Sequence, residues 1–175
     1  MRRALPLALA VALAASSAGS ALEAQTLTFT RVGDGPIAFS GKTYVWCGSW
    51  EPDVKVPALR VLLVPRRHDR SYWLLSGVLK DIRRSPRVHF PVGFVWNRPK
   101  GAELFVYDRP TKNEASSETE KAKGVVTFSR VTCRRGQNVV VSASGVLGSE
   151  FGDGKPIRVT GTFRGVVGPP PRGFR

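Results

Sequence analysis

By residue type, His68, Asp69 and Ser71 could be the base, orienting acid and nucleophile of a hydrolase. They are neighbours within Pro65-Arg66-Arg67-His68-Asp69-Arg70-Ser71, however, and no Gly-x-Ser-x-Gly elbow is present. A working triad converges from separate elements, so this stretch reads as a solvated loop. Glu51 and Asp53 follow Trp50, and an aromatic beside two carboxyls is a pattern found where glycosidic bonds are cleaved. Their adjacency around Pro52 puts both in one turn and sets no gap across a scissile bond. Gly33-Asp34-Gly35 and Gly152-Asp153-Gly154 lack the further oxygens a calcium ion needs, and read as hairpin turns. Neither a metal site nor a cofactor site is expected.

Cys47 and Cys133 are the only cysteines. They lack the Cys-x-x-Cys spacing of a redox centre, and with the distant His68 and His89 they make no tetrahedral ligand set. The pair is expected to form one structural disulfide, which requires an oxidising compartment. The amino terminus agrees. Met1-Arg2-Arg3 is basic, Leu5 to Ala15 is an almost unbroken apolar run, and small residues fill Ala18 to Ala24. That order describes a secretory signal peptide over residues 1–24 rather than a membrane span. The mature chain is expected to be exported and soluble, in the periplasm or outside the cell.

The formal charge is +14, and losing Arg2, Arg3 and Glu23 leaves +13. Behind an export signal such a field points to an anionic envelope polymer or an acidic protein rather than to nucleic acid. The candidate anion-binding residues are Arg66, Arg67 and Arg70 in one loop and Lys80, Arg83, Arg84 and Arg87 in another. A second candidate surface is aromatic. If Cys47 and Val45 face inward, Tyr44 and Trp46 face the other side, followed by Trp50; Phe105 and Tyr107 likewise oppose Leu104 and Val106. Aromatics exposed among arginines suit a flat or glycan-like ligand, or an interface.

The elements that must position these residues are strands. Short β-branched and aromatic runs alternate with Gly, Pro, Asn and Asp punctuation across residues 25–167. Ile157, Val159, Phe163 and Val167 share a face opposite Arg158, Thr160, Thr162 and Arg164, the mark of a half-buried antiparallel strand. Val125 to Val167 reads as a three-stranded meander, and Tyr72 to Ile82 as one strand. Thr111 to Lys123 carries no apolar stripe and reads as a long mobile loop or frayed turn; residues 168–175 read as a flexible Pro-rich tail. The fold class is all-β: one antiparallel sandwich or partly closed barrel of about eight to ten strands with one disulfide.

No catalytic constellation is visible, so the leading expectation is a non-enzymatic binding or interaction module. The alternative is a small-ligand carrier whose barrel encloses an apolar molecule among Trp73, Trp96 and their neighbours. A hydrolase with a loop-assembled site comes third. A buried acid with a strongly perturbed pKa would favour it.

Overall fold

A computed structural model describes residues 25–31, 36–65, 71–91, 99–109, 112–150 and 154–173, with side chains from residue 41 onward. The expected signal peptide, the turn at Gly33 to Gly35, the loop of Arg66 to Arg70 and the strand end at Trp96 lie outside the described residues. Ten strands and one short helix follow in the order β1 (Gln25–Arg31), β2 (Pro36–Ser49), β3 (Pro57–Pro65), β4 (Tyr72–Val78), α1 (Leu79–Arg84), β5 (Arg87–Phe90), β6 (Ala102–Asp108), β7 (Asn113–Ser116), β8 (Lys123–Arg130), β9 (Asn138–Ser149) and β10 (Ile157–Val166). The fold is all-β, as the punctuated alternation requires.

All ten strands belong to one antiparallel sheet, ordered β10-β1-β2-β3-β4-β6-β7-β9-β8-β5, and β9 also pairs with β10. The pairings therefore return on themselves, making a partly closed barrel. The seam between β7 and β9 is narrow, with only Ala115↔Ser149 and Ser116↔Gly148 in register. β8, β9 and β10 form the expected meander. Gly136, with φ of 82°, turns the chain between β8 and β9 in a conformation that L side chains avoid.

Strand parity sorts the side chains. Val45, Leu59, Val61, Leu63, Trp73, Leu75, Leu104, Val106, Val141, Val159 and Phe163 point inward and form the core, with Trp73 and Phe163 ring centroids 6.2 Å apart. The Cys47–Cys133 disulfide joins the end of β2 to the segment after β8 across 86 residues of sequence, with Cα atoms 5.7 Å apart. At Gly165 the chain of β10 crosses β2 so closely that a Cβ would lie 2.6 Å from Val45 Cγ2. The contact continues as a parallel bridge from Val45 to Val167, and the Gly168 N–H donates to the Val45 carbonyl at 2.8 Å.

Two segments depart from the sequence reading. The strand expected over Tyr72 to Ile82 stops at Val78 and becomes α1. With Lys80, Asp81, Arg83 and Arg84 charged, the turn buries Ile82 fully and Leu79 in part, which suits a single helical turn; the Asp81 carboxylate anchors it by accepting the Gly101 N–H at 2.8 Å. The stretch expected as a loop over Thr111 to Lys123 contains β7 and a docked turn, with Ala115, Ser116, Ser117 and Ala122 buried. Hydrogen bonds replace the missing apolar stripe. Ser117 Oγ accepts the Leu104 N–H and Ser116 Oγ accepts the Glu118 N–H, both at 2.9 Å.

Candidate functional site

The outer face of β2, β3, β4 and β6 carries the residues left over once the core side chains have turned inward. Register aligns them in rows. Trp46, Arg60, Ser76 and Glu103 stand side by side across the four strands, and Tyr44, Leu62, Leu74 and Phe105 form the next row. Tyr72, Tyr107 and Glu114 follow. Tyr72 lies 5.9 Å from Phe105 and 5.6 Å from Tyr107, ring centroid to centroid.

The turn after β2 folds back over this face. The Trp50 N–H donates to the Val56 carbonyl at 2.8 Å, and Trp50 packs on Ala58 and Val78. Arg60 fixes the turn from below. Its guanidinium donates to the Trp50 carbonyl and, at 3.3 Å, to that of Ser49, with the Trp46 ring centroid 5.7 Å away. Arg60 is only 9 % exposed, and its Nε has no acceptor among the described residues. Burial pulls its pKa down, while the carboxylates of Glu103 and Glu51 push the other way.

Opposite this turn, β7, its following turn and the end of β9 build a second wall. The Ser117 N–H donates to the Leu104 carbonyl at 2.9 Å, and the Glu150 N–H to that of Glu114 at 2.8 Å. Between the walls is an open cleft of about 630 Å³, lined by Trp50, Glu51, Arg60, Tyr72, Leu74, Ser76, Glu103, Phe105, Glu114, Glu118, Thr119 and Glu150. Five carboxyls thus meet one guanidinium on a partly aromatic floor.

The electrostatics follow from that imbalance. Glu103 is pushed up to about 8, first by burial, then by Glu118, Glu51 and Glu150; Arg60 opposes the rise without cancelling it. Burial, then Glu150 and Glu51, push Glu118 up to about 7. Tyr72 is also raised, by burial and by Glu114 and Tyr107. Near neutral pH Glu103 therefore keeps its proton in a cleft it shares with four further carboxyls. Such a group can donate a hydrogen bond or proton, or become an anion once a cation arrives.

The sequence-derived candidates are distributed unevenly around this cleft. Trp50 and Phe105 line it; Tyr44 and Tyr107 share its sheet face, half-buried, with Lys42 Nζ 4.8 Å from the Tyr44 ring centroid. Trp46 and Trp50 face outward as parity requires, but each is only 4 % exposed: Trp50 packs with Val54, Val56, Ala58 and Val78, and the Arg60 guanidinium lies against the Trp46 ring. An exposed aromatic surface is therefore not what they form. Lys80, Arg83, Arg84 and Arg87 are exposed on α1 and β5, whereas Arg66, Arg67 and Arg70 lie outside the described residues. Tyr72 and Val78 mark opposite ends of β4, about 20 Å apart at strand rise. Lys80, Arg83, Arg84 and Arg87 thus lie beyond the end of β4 away from the Tyr72–Tyr107 pair, and Arg60 is the described cation that lines the cleft. Apart from Arg60, the aromatics here meet glutamates rather than the arginines of α1 and β5.

Arg60, Glu103, Glu114, Glu118 and Glu150 are the cleft residues that sequence reasoning missed as a site. One signal was present: an arginine inside the apolar run Leu59 to Val64 must find partners on the outer face of its strand. Trp73 sits in the core against Phe163, and its suggested companion Trp96 lies outside the described residues. Among the described residues no three His, Cys, Asp or Glu are placed to hold a metal ion, and no helix is long and apolar enough to cross a membrane. Comparison with protein-family models, curated proteins and solved structures finds no match to this chain.

Proposed function

We propose that this protein is an exported, non-enzymatic binding module whose ligand site is the cleft on the outer face of β3, β4 and β6. The observation that carries the reading is the assembly of the cleft: five glutamates from five separate segments, three aromatics and one buried arginine around about 630 Å³. That volume lies in the range of small-ligand sites, and the lining departs from the usual apolar pocket in setting five glutamates around an aromatic floor. Export is supported by the leader-like amino terminus and by the disulfide. The test is a titration of the intact protein with three small probes, n-butylamine, methyl glucoside and butyrate, followed by amide and indole NMR shifts. Shifts confined to Trp50, Glu103, Phe105 and Glu118 are expected with at least one probe. If all three leave these signals in place, the cleft is not a ligand site.

Glu103 favours one second reading, a hydrolase. A carboxyl raised to about 8 in a cleft it shares with other carboxyls is suited to act as a general acid at neutral pH. Turnover of chromogenic glycosides that ceases in Glu103→Gln would replace the binding reading with this one.

A further inference from the structure

Within the reading of the cleft as a ligand site, we infer that its occupant is an organic cation: an ammonium or guanidinium on an apolar stem, seated among Glu103, Glu118 and Glu150 with the stem along Tyr72 and Phe105.

The first ground is the distribution of charge. The chain has thirteen acidic residues against twenty-seven lysines and arginines, yet five of the thirteen, all glutamates, line this one cleft. Their sequence positions are scattered over a hundred residues, from the turn after β2 to the end of β9, so folding gathers them. Arg60, the cation they surround, is already engaged below the floor with the Ser49 and Trp50 carbonyls. The site is short of positive charge.

The second ground is independent of the carboxyls. Arg60 is nine-tenths buried in the lining, and its Nε donor has no acceptor among the described residues. An unpaired buried donor is costly, and a carbonyl or similar acceptor on the occupant offsets that cost. The aromatic floor supplies the third ground, since Tyr72 and Phe105 can hold an aliphatic stem and present ring faces to a cation. No three of the described carboxyls are placed to share a metal ion, so the fit is a cation whose apolar stem is held by the floor rather than a bare ion.

Binding of this kind is coupled to protons. The groups facing Glu103 are Arg60 from β3, Tyr72 from β4, Glu51 from the turn after β2, Glu114 from β7, Glu118 from the following turn and Glu150 after β9. Apart from Arg60 they are acids, so Glu103 holds its proton up to about pH 8, and an external cation displaces it at lower pH. With Glu103 and Glu118 raised to about 8 and about 7, cation affinity rises with pH through that range and the proton leaves to buffer.

The experiment measures binding of two cationic probes, cadaverine and Nα-acetyl-lysine methylamide, to the disulfide-intact protein between pH 6 and 8.5, by calorimetry in buffers of different ionisation enthalpy. Nα-acetyl-norleucine methylamide and butyrate are the neutral and anionic controls. A rise of about 10- to 100-fold in cation affinity across that interval is expected from linkage, with net proton release. Preference for the lysine derivative identifies a polypeptide side chain as the source of the cation, and preference for cadaverine a free amine; either supports the inference. Equal binding of the norleucine derivative, or a cation affinity indifferent to pH, overturns it. If a neutral or anionic probe alone shifts the cleft resonances, the cation is wrong and the cleft remains a site; if no probe does, both fall. Glu103→Gln should flatten most of the pH dependence. Should that variant not fold, wild-type proton release and Glu118→Gln still decide the matter.

Discussion

Replacing Glu103 by glutamine should make the folded protein more stable at alkaline pH and remove part of its pH dependence. In the unfolded chain this carboxyl ionises near its ordinary value of 4.5, whereas in the folded protein it holds its proton up to about 8. Between those values the folded state binds a proton that the unfolded state has lost. The corresponding stability is complete below about pH 4.5, falls as the pH rises, and is gone above about pH 8. At about 1.4 kcal/mol for each tenfold change in proton affinity, the gap between 4.5 and about 8 sets a ceiling of about 5 kcal/mol. Glu103 borders an open cleft and is half-buried, so solvent screening reduces the expected effect to about 2–3 kcal/mol. Urea unfolding of both proteins at pH 5, 6, 7 and 8, disulfide intact, reads this directly. The wild type should lose about 2–3 kcal/mol more than the variant over that interval, because glutamine does not titrate. Parallel stability curves would refute the account of Glu103 as a desolvated, repelled carboxyl.

Reducing the Cys47–Cys133 bond, or changing both cysteines to alanine, releases a loop long enough to cost about 4–5 kcal/mol on the chain-entropy model, measured as a fall in the urea midpoint. Arg60→Ala removes the anchor of the turn at residues 50–56 and should destabilise by about 2–4 kcal/mol. It should also shift Trp50 fluorescence to the red; unchanged emission would mean the turn holds without it. Combined Arg83→Ala, Arg84→Ala and Arg87→Ala changes remove three exposed charges without touching the core, so stability should stay within about 0.5 kcal/mol. Retention on immobilised heparin should fall. Retention equal to wild type would remove this rim as an anion-binding surface.

What the sequence made legible was parity, and what it hid was register. Alternation alone separates Tyr44 and Trp46 from Val45 and Cys47, and Glu103 and Phe105 from Leu104 and Val106, because consecutive strand residues point to opposite faces. Which side chains then stand next to one another depends on how four strands slide past each other. Nothing local to Arg60 or Glu103 says that they share a row with Trp46 and Ser76. Cover is equally non-local. Trp50 is buried in a turn that returns over its own strand, held by an arginine ten residues further on, and the same arginine lies against Trp46. β7 was obscure for another reason: it is held by backbone pairing with β6 and by the Ser117 hydroxyl on the Leu104 N–H, while the Ser116 hydroxyl closes its own turn at Glu118, and such polar contacts leave no apolar stripe to read.

The two charged regions respond oppositely to salt. A polyanion approaching α1 and β5 meets exposed cations reinforced by the net positive charge, so its association weakens as ions screen the field. A cation approaching the cleft is repelled at long range by the same field and attracted only close to the glutamates. Screening acts over about 8 Å at physiological ionic strength, so added salt removes the distant repulsion before it weakens the partly buried attraction. Heparin retention should therefore fall steeply with sodium chloride, while the affinity of the cleft for Nα-acetyl-lysine methylamide at pH 8.5 should change far less, its association rate holding or rising. Competition of sodium ions for the glutamates would instead make both fall together. That result would mean the carboxyls act as a diffuse acidic surface, and the aromatic floor and Arg60 add no selectivity for an organic cation.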